Sequence, residues 1–148
     1  MALIDQVQQD MVAAMKSRDE ARLSALRMIK AALMKQKADL ARPLDEAAEQ
    51  QVLKLLVKQR TDAAEAFRNA GRAEQAQKEE AERVLIETYM PAAATDAEMD
   101  AALAEALAET GATSLKQMGV VMKATQARLK GKTVDGKALS DKVRSRLQ

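Results

Sequence analysis

Histidine and cysteine are both missing from the 148 residues. With them go thiol nucleophiles, disulfides, imidazole general bases and nearly every transition-metal site built from those ligands. Tryptophan is absent too, and Phe67 and Tyr89 are the only aromatic side chains. The core must therefore be built from Leu, Ile, Val, Met and Ala, which pack helices closely and leave little room for an aromatic-lined ligand pocket. No apolar run approaches the ~20 residues that a membrane-spanning helix needs. Asp5 and Asp10 fall where a signal peptide would require cations and an unbroken apolar stretch. These absences lead us to expect a soluble, cytoplasmic chain with no metal, no cofactor and no membrane partner.

What is present is helix-forming. Ala, Leu, Met, Glu, Lys, Arg and Gln dominate, with five Gly, two Pro and few β-branched residues to interrupt them. An all-α fold follows: an N-terminal four-helix unit over residues 1–91 and a small three-helix bundle over 92–148. Residues 2–16 place Leu3, Ile4, Val7, Met11 and Met15 on one face. Ser17 and Glu20 have the spacing of a capping box for a second helix, whose stripe is Leu23, Leu26, Ile29, Ala32 and Leu33. Pro43 ends that helix, and Asp45 caps a long third one with Val52, Leu56, Gln59, Ala63 and Phe67 inward, closed at Gly71. The fourth, Arg72 to Met90, is apolar only towards its end, so burial is expected there alone. Pro91 stops it, and "PAAAT" reads as a linker of small residues. Thr95 with Glu98, and Ser114 with Gln117, then make capping boxes for helices running to Thr110 and Lys130. Leu139, Val143 and Leu147 mark a last helix.

The turn before that helix, "LKGKTVDGKA", has the glycine and lysine spacing of a phosphate-binding loop: Gly131, Gly136, Lys137. The chemistry does not follow. Such a loop leaves a buried strand and carries a Ser or Thr that holds Mg²⁺, whereas here the position after the lysine is Ala138 and the preceding residues Leu115, Met118, Met122, Thr125 and Leu129 recur at helical spacing. The turn is better read as a connection between helices, with Gly131 as a C-terminal cap and Gly136 in the turn.

Charge is distributed unevenly. Residues 1–90 hold 15 Lys plus Arg against 15 Asp plus Glu; residues 91–111 hold five acids and no base; residues 112–148 hold nine bases against Asp135 and Asp141. The nine are Lys116, Lys123, Arg128, Lys130, Lys132, Lys137, Lys142, Arg144 and Arg146. They form a candidate phosphate-binding segment for structured RNA; single-strand recognition is disfavoured because stacking platforms need aromatics. The same segment also reads as a solvated surface, and the acidic helix at 96–110 offers internal neutralisation. A second candidate, for protein interaction, is Lys58, Arg60, Arg68 and Arg72, set against the plainer reading that they pair with Glu65, Glu79 or Glu82 across a helical hairpin. Glu79, Glu80 and Glu82 in "KEEAER" read as solvated ion-pair partners. No residue reads as catalytic, since Ser24, Ser114, Ser140 and Ser145 lack an activating base.

Lys58-Gln59-Arg60, Phe67 with Ala70-Gly71-Arg72, Glu79 and Glu82 ahead of Tyr89-Met90-Pro91, and Met118-Gly119 with Gly131-Lys132 and Asp135-Gly136 closely resemble the GatB/YqeY family, in particular its stand-alone YqeY-like members. The resemblance runs the length of the chain; Met90 stands where Leu is more usual and Gln75 where an apolar residue is common. It implies four helices followed by three. It also implies kinship of residues 92–148 with the tail region of the B subunit of the glutamine-dependent aspartyl/glutamyl-tRNA amidotransferase, a region that contacts tRNA. A label of carbon–nitrogen ligase with glutamine as amido donor would come from that larger enzyme, whose catalytic domain has no counterpart in these residues. Two functions are thus expected to compete: a non-catalytic module for tRNA or other structured RNA, and a protein-interaction accessory in translation or an amidotransferase complex.

Overall fold

The computed structural model describes every residue from Met1 to Gln148. It is all-α, with seven α-helices and no strand beyond one isolated bridge. The chain divides into two compact units, Met1–Met90 and Pro91–Gln148.

The first unit contains α1 (Leu3–Lys16), α2 (Glu20–Leu40), α3 (Glu46–Asn69) and α4 (Ala73–Glu87). Its core joins Val7 and Met11 of α1, Leu26, Ile29 and Leu33 of α2, Leu53 and Leu56 of α3, and Leu85 and Ile86 of α4. The most extensive pairing is the α3/α4 hairpin, turned at Gly71, whose φ of 74° is the left-handed conformation that glycine adopts without strain. Asp45 caps α3 as expected, accepting from the Ala48 N–H at 2.8 Å.

Several boundaries and faces differ from the sequence expectation. Ser17 does not open α2; it closes α1, its hydroxyl donating to the Ala14 carbonyl at 3.2 Å. Arg18 turns the chain with a φ of 57°, which leaves Asp19 as the last non-helical residue, and its carboxylate accepts from the Arg22 N–H at 3.1 Å. In α1 the inward stripe is Leu3, Val7, Met11 and Ala14, with Met15 exposed. In α3 the stripe lies one residue further round: Ala48, Leu53, Leu56 and Ala64 are buried, while Gln59 is exposed. The reason is that α3 packs against both α2 and α4, so its buried arc is set by two neighbours. Burial of α4 also begins early, at Ala76.

The second unit contains α5 (Asp96–Thr110), a single 3-10 turn (Leu115–Gln117), α6 (Met118–Arg128) and α7 (Gly136–Leu147). Leu103 of α5, Val121 of α6, Leu139, Val143 and Leu147 of α7, and Leu129 beyond α6 share its core. The Thr95/Glu98 capping box forms, at 3.1 and 3.2 Å for its two hydrogen bonds. Gln117 accepts from the Thr113 and Ser114 N–H groups at 2.8 and 3.3 Å, which starts α6 through the 3-10 turn. The buried Thr125 hydroxyl is satisfied within its own helix, donating to the Val121 carbonyl at 2.7 Å.

The stretch expected as a linker is tied down. Ala93 and Thr133 form a parallel bridge: the Ala94 N–H donates to the Thr133 carbonyl at 2.8 Å and the Thr133 N–H to the Ala92 carbonyl at 3.0 Å. The Thr133 hydroxyl donates to the Pro91 carbonyl at 2.7 Å. Gly131 has the left-handed φ expected of a cap, 90°. Gly136 is not in the turn but is the first residue of α7, capped by Asp135, whose carboxylate accepts from the Lys137 and Ala138 N–H groups at 3.1 and 3.2 Å. The phosphate-loop spacing is thus filled by a bridge and a carboxylate cap, which take up the N–H groups of Thr133, Lys137 and Ala138.

Candidate nucleic-acid interface

The nine basic residues of the second unit separate into two groups. Three face α5. Lys132 lies 3.1 Å from Glu98; Lys142 lies 2.9 Å from Asp100 and 3.7 Å from Asp96; Arg128 lies 3.3 Å from Glu105 and also pairs with Glu109. All five acids of α5 are committed in this way. The hydrogen bond from Lys142 to Asp100, together with the attraction of Asp100 and Asp96, raises the Lys142 pKa despite some desolvation. Glu98 is held below the ordinary carboxylate range, first by the Thr95 backbone N–H and then by Lys132.

The other six, Lys116, Lys123, Lys130, Lys137, Arg144 and Arg146, are exposed and have no carboxylate within 4.0 Å. The nine therefore do not form one array. Of the six, Lys123 lies on α6, on the side opposite its buried Val121 and Thr125, while Lys116 belongs to the 3-10 turn before α6 and Lys130 follows its end. Between them lie exposed Gly119, Val120 (60% exposed) and Ala127. No acidic residue occurs from 112 to 134. Lys137 lies in the first turn of α7, while Arg144 and Arg146 occupy its last turn, where cations are favoured by the helix dipole. No pattern in the sequence separates the unpaired six from the paired three, because Arg128 and Lys132 lie in the same acid-free stretch and are paired only by the side chains of α5.

In the first unit the candidate residues are mostly committed. Lys58 bonds Asp62 at 2.8 Å one turn along α3, and that bond raises its pKa. Arg68 pairs with Glu80. Arg60 reaches both Glu79 and Glu82 at 3.3 Å and the Met28 sulfur at 3.5 Å. Only Arg72, just before α4, is exposed without a carboxylate in reach.

The Arg60 cluster corrects the expectation of solvated ion pairs. Arg60 is 22% exposed, and Glu79 and Glu82 are each 18% exposed. Arg60 continues the stripe of Leu53, Leu56 and Ala64, and the two glutamates continue that of Ala76 and Ile86, so the pair falls on the inward side of both helices. The Arg60 Nε and the Glu79 Oε2 are buried without an aligned hydrogen-bond partner: the charges are close enough to attract but not oriented to bond fully. The Tyr89 hydroxyl donates to Asp10, and burial, that bond and the Asp10 charge push its pKa upward against a smaller opposing effect of Arg22.

No three Asp or Glu side chains are arranged to hold a metal ion. No helix is long and apolar enough to cross a membrane. No curated protein matches the chain. The family model for Yqey-like protein matches residues 4–147, essentially the whole sequence, and the chain belongs to that family.

Proposed function

We propose that the protein is a non-catalytic module for tRNA or other structured RNA, acting in the cytoplasm through its C-terminal unit, residues 92–148. The observation that carries this reading is the segregation of charge in that unit: α5 takes up Arg128, Lys132 and Lys142, and leaves six exposed cations unopposed. Lys116, Lys123 and Lys130 are carried by the 3-10 turn, by α6 and by the segment just beyond it, with exposed Gly119 and Ala127 between them. Such a set of unopposed cations suits the phosphates of a folded RNA, a recognition by shape and charge rather than base identity. The resemblance of residues 92–148 to the tRNA-contacting tail of the amidotransferase B subunit supports the same reading. Amide transfer would remain with that larger enzyme. A protein-interaction role resting on Lys58, Arg60, Arg68 and Arg72 has less support, because three of the four are held by carboxylates.

The test is fluorescence anisotropy with unfractionated tRNA across a salt series. The expected log–log plot is linear with a slope of several phosphates. Reversing Lys116, Lys123 and Lys130 to Glu together is expected to weaken binding at least about tenfold and lower the slope by about three. Unchanged affinity, or no binding at low salt in the parent, would sink the reading.

A further inference from the structure

A second surface, in the N-terminal unit, combines an apolar floor with a basic rim. The C-terminal half of α2 and the start of α1 enclose a groove of about 630 Å³, floored by Ile4, Met34, Ala38 and Pro43 and edged by Lys30, Lys37 and Arg42. Met34 is 53% exposed, and Leu40 on the same stretch is also exposed. Lys30 donates to the neutral Gln8 at 2.6 Å, Lys37 has no carboxylate within 4.0 Å, and Arg42 has only Asp45, at 3.7 Å. The nearby Glu49 is already used, accepting from the Leu3 N–H at 2.8 Å. The residues that line the groove thus include three cations and no acid. The C-terminus of α2 contributes only about half a negative charge against these cations. The lip carries strain as well: Ala41 closes α2 at a φ of 52°, a left-handed conformation unusual for a residue with a side chain, and such strain concentrates at functional segments.

We propose that this groove docks an acidic amphipathic helix of a protein partner. The occupant's chemistry follows from the surface. Met34 supplies an adaptable apolar contact of the kind used by helix-binding grooves, and the rim selects Glu or Asp flanking the apolar stripe of the incoming helix. Strand addition is not open to a fold whose only β feature is the Ala93–Thr133 bridge in the other unit. The inference is independent of the RNA reading, which uses different residues.

A displayed library of helical peptides, panned on the full-length protein, tests it. Enriched sequences should be net acidic with apolar residues at i, i+3 or i+4, and i+7. Their affinity should fall at least tenfold on the Met34→Glu/Lys37→Glu double variant, both sites being exposed enough to leave the fold intact. Peptides with Glu changed to Lys should bind that variant better than the parent. Failure to enrich acidic helices, or equal binding to the variant, would overturn the proposal. So would loss of peptide binding to competing tRNA, which would assign the rim to phosphate, or a concentration-dependent dimer abolished by the same substitutions, which would assign the groove to a second copy.

Discussion

The two units handle charge in opposite ways. In residues 1–90 acids and bases balance, and opposite charges interleave across the α3/α4 hairpin, with Arg60, Glu79 and Glu82 drawn partly inside. In residues 91–148 the five acids of α5 are gathered on one helix, and six of nine cations are left without a partner. The first arrangement spends charge on helix register, because an ion pair on the inward stripe tolerates only one alignment of the hairpin. The second leaves charge available to a partner. Core size follows the same contrast: thirteen buried residues make up the first cluster and eight the second.

The largest effect should therefore come from the smaller core. Leu139→Ala, at a fully buried site, is expected to cost ~3 kcal/mol and to unfold the C-terminal unit selectively, which hydrogen exchange would read as lost protection beyond residue 91 with the N-terminal helices still protected. Equal loss throughout would erase the distinction between the units.

Next is Arg60→Met, which leaves Glu79 and Glu82 together without their counter-charge. A partly buried pair broken on one side should cost about 2 kcal/mol in chemical denaturation. Adding Glu79→Gln and Glu82→Gln should recover most of the loss. No loss on Arg60→Met would mean that the cluster is as solvent-screened as an ordinary surface pair.

Tyr89 gives a smaller, pH-dependent effect. Its folded-state pKa is raised, so the stabilisation is complete below the ordinary tyrosine value near 10 and is lost as pH climbs above it. Tyr89→Phe should cost ~1 kcal/mol at neutral pH through the half-buried Asp10, and the gap between parent and variant should narrow in urea titrations above pH ~10. The sole tyrosine also makes the alkaline ultraviolet titration specific to this site.

The smallest concerns the acidic helix. Thr95→Ala removes one capping bond of α5 and should cost ~1 kcal/mol. Because Glu98 has a lowered folded-state pKa, its contribution is present above the ordinary carboxylate value and fades as pH falls below it, so acid should narrow the difference between parent and variant.

The fold class was legible because helix-forming composition and punctuation by Pro43, Gly71 and Pro91 agree with one another. The caps at Asp45 and Thr95 were legible because each depends on residues three apart in one segment and not on what the helix packs against. The α3 stripe was misjudged for a physical reason: a helix between two partners buries an arc whose centre depends on both, and a charged residue such as Arg60 is inward only because glutamates from α4 meet it there. Periodicity of apolar residues cannot register that. The basic segment was visible as a count, but its division into paired and unpaired cations depends on which side chains α5 reaches. The Ala93–Thr133 bridge left no trace in the sequence, since Ala and Thr at those positions carry no pattern.

That bridge defines where the C-terminal unit begins as a transferable piece. The acceptors of Thr133 are carbonyls of Pro91 and Ala92, upstream of the first residue of α5. A graft onto another protein that starts at the Thr95 cap would carry every helix of the unit and all six unpaired cations, yet leave the turn before α7 with its anchoring strand-like segment missing. The module's natural seam is the proline.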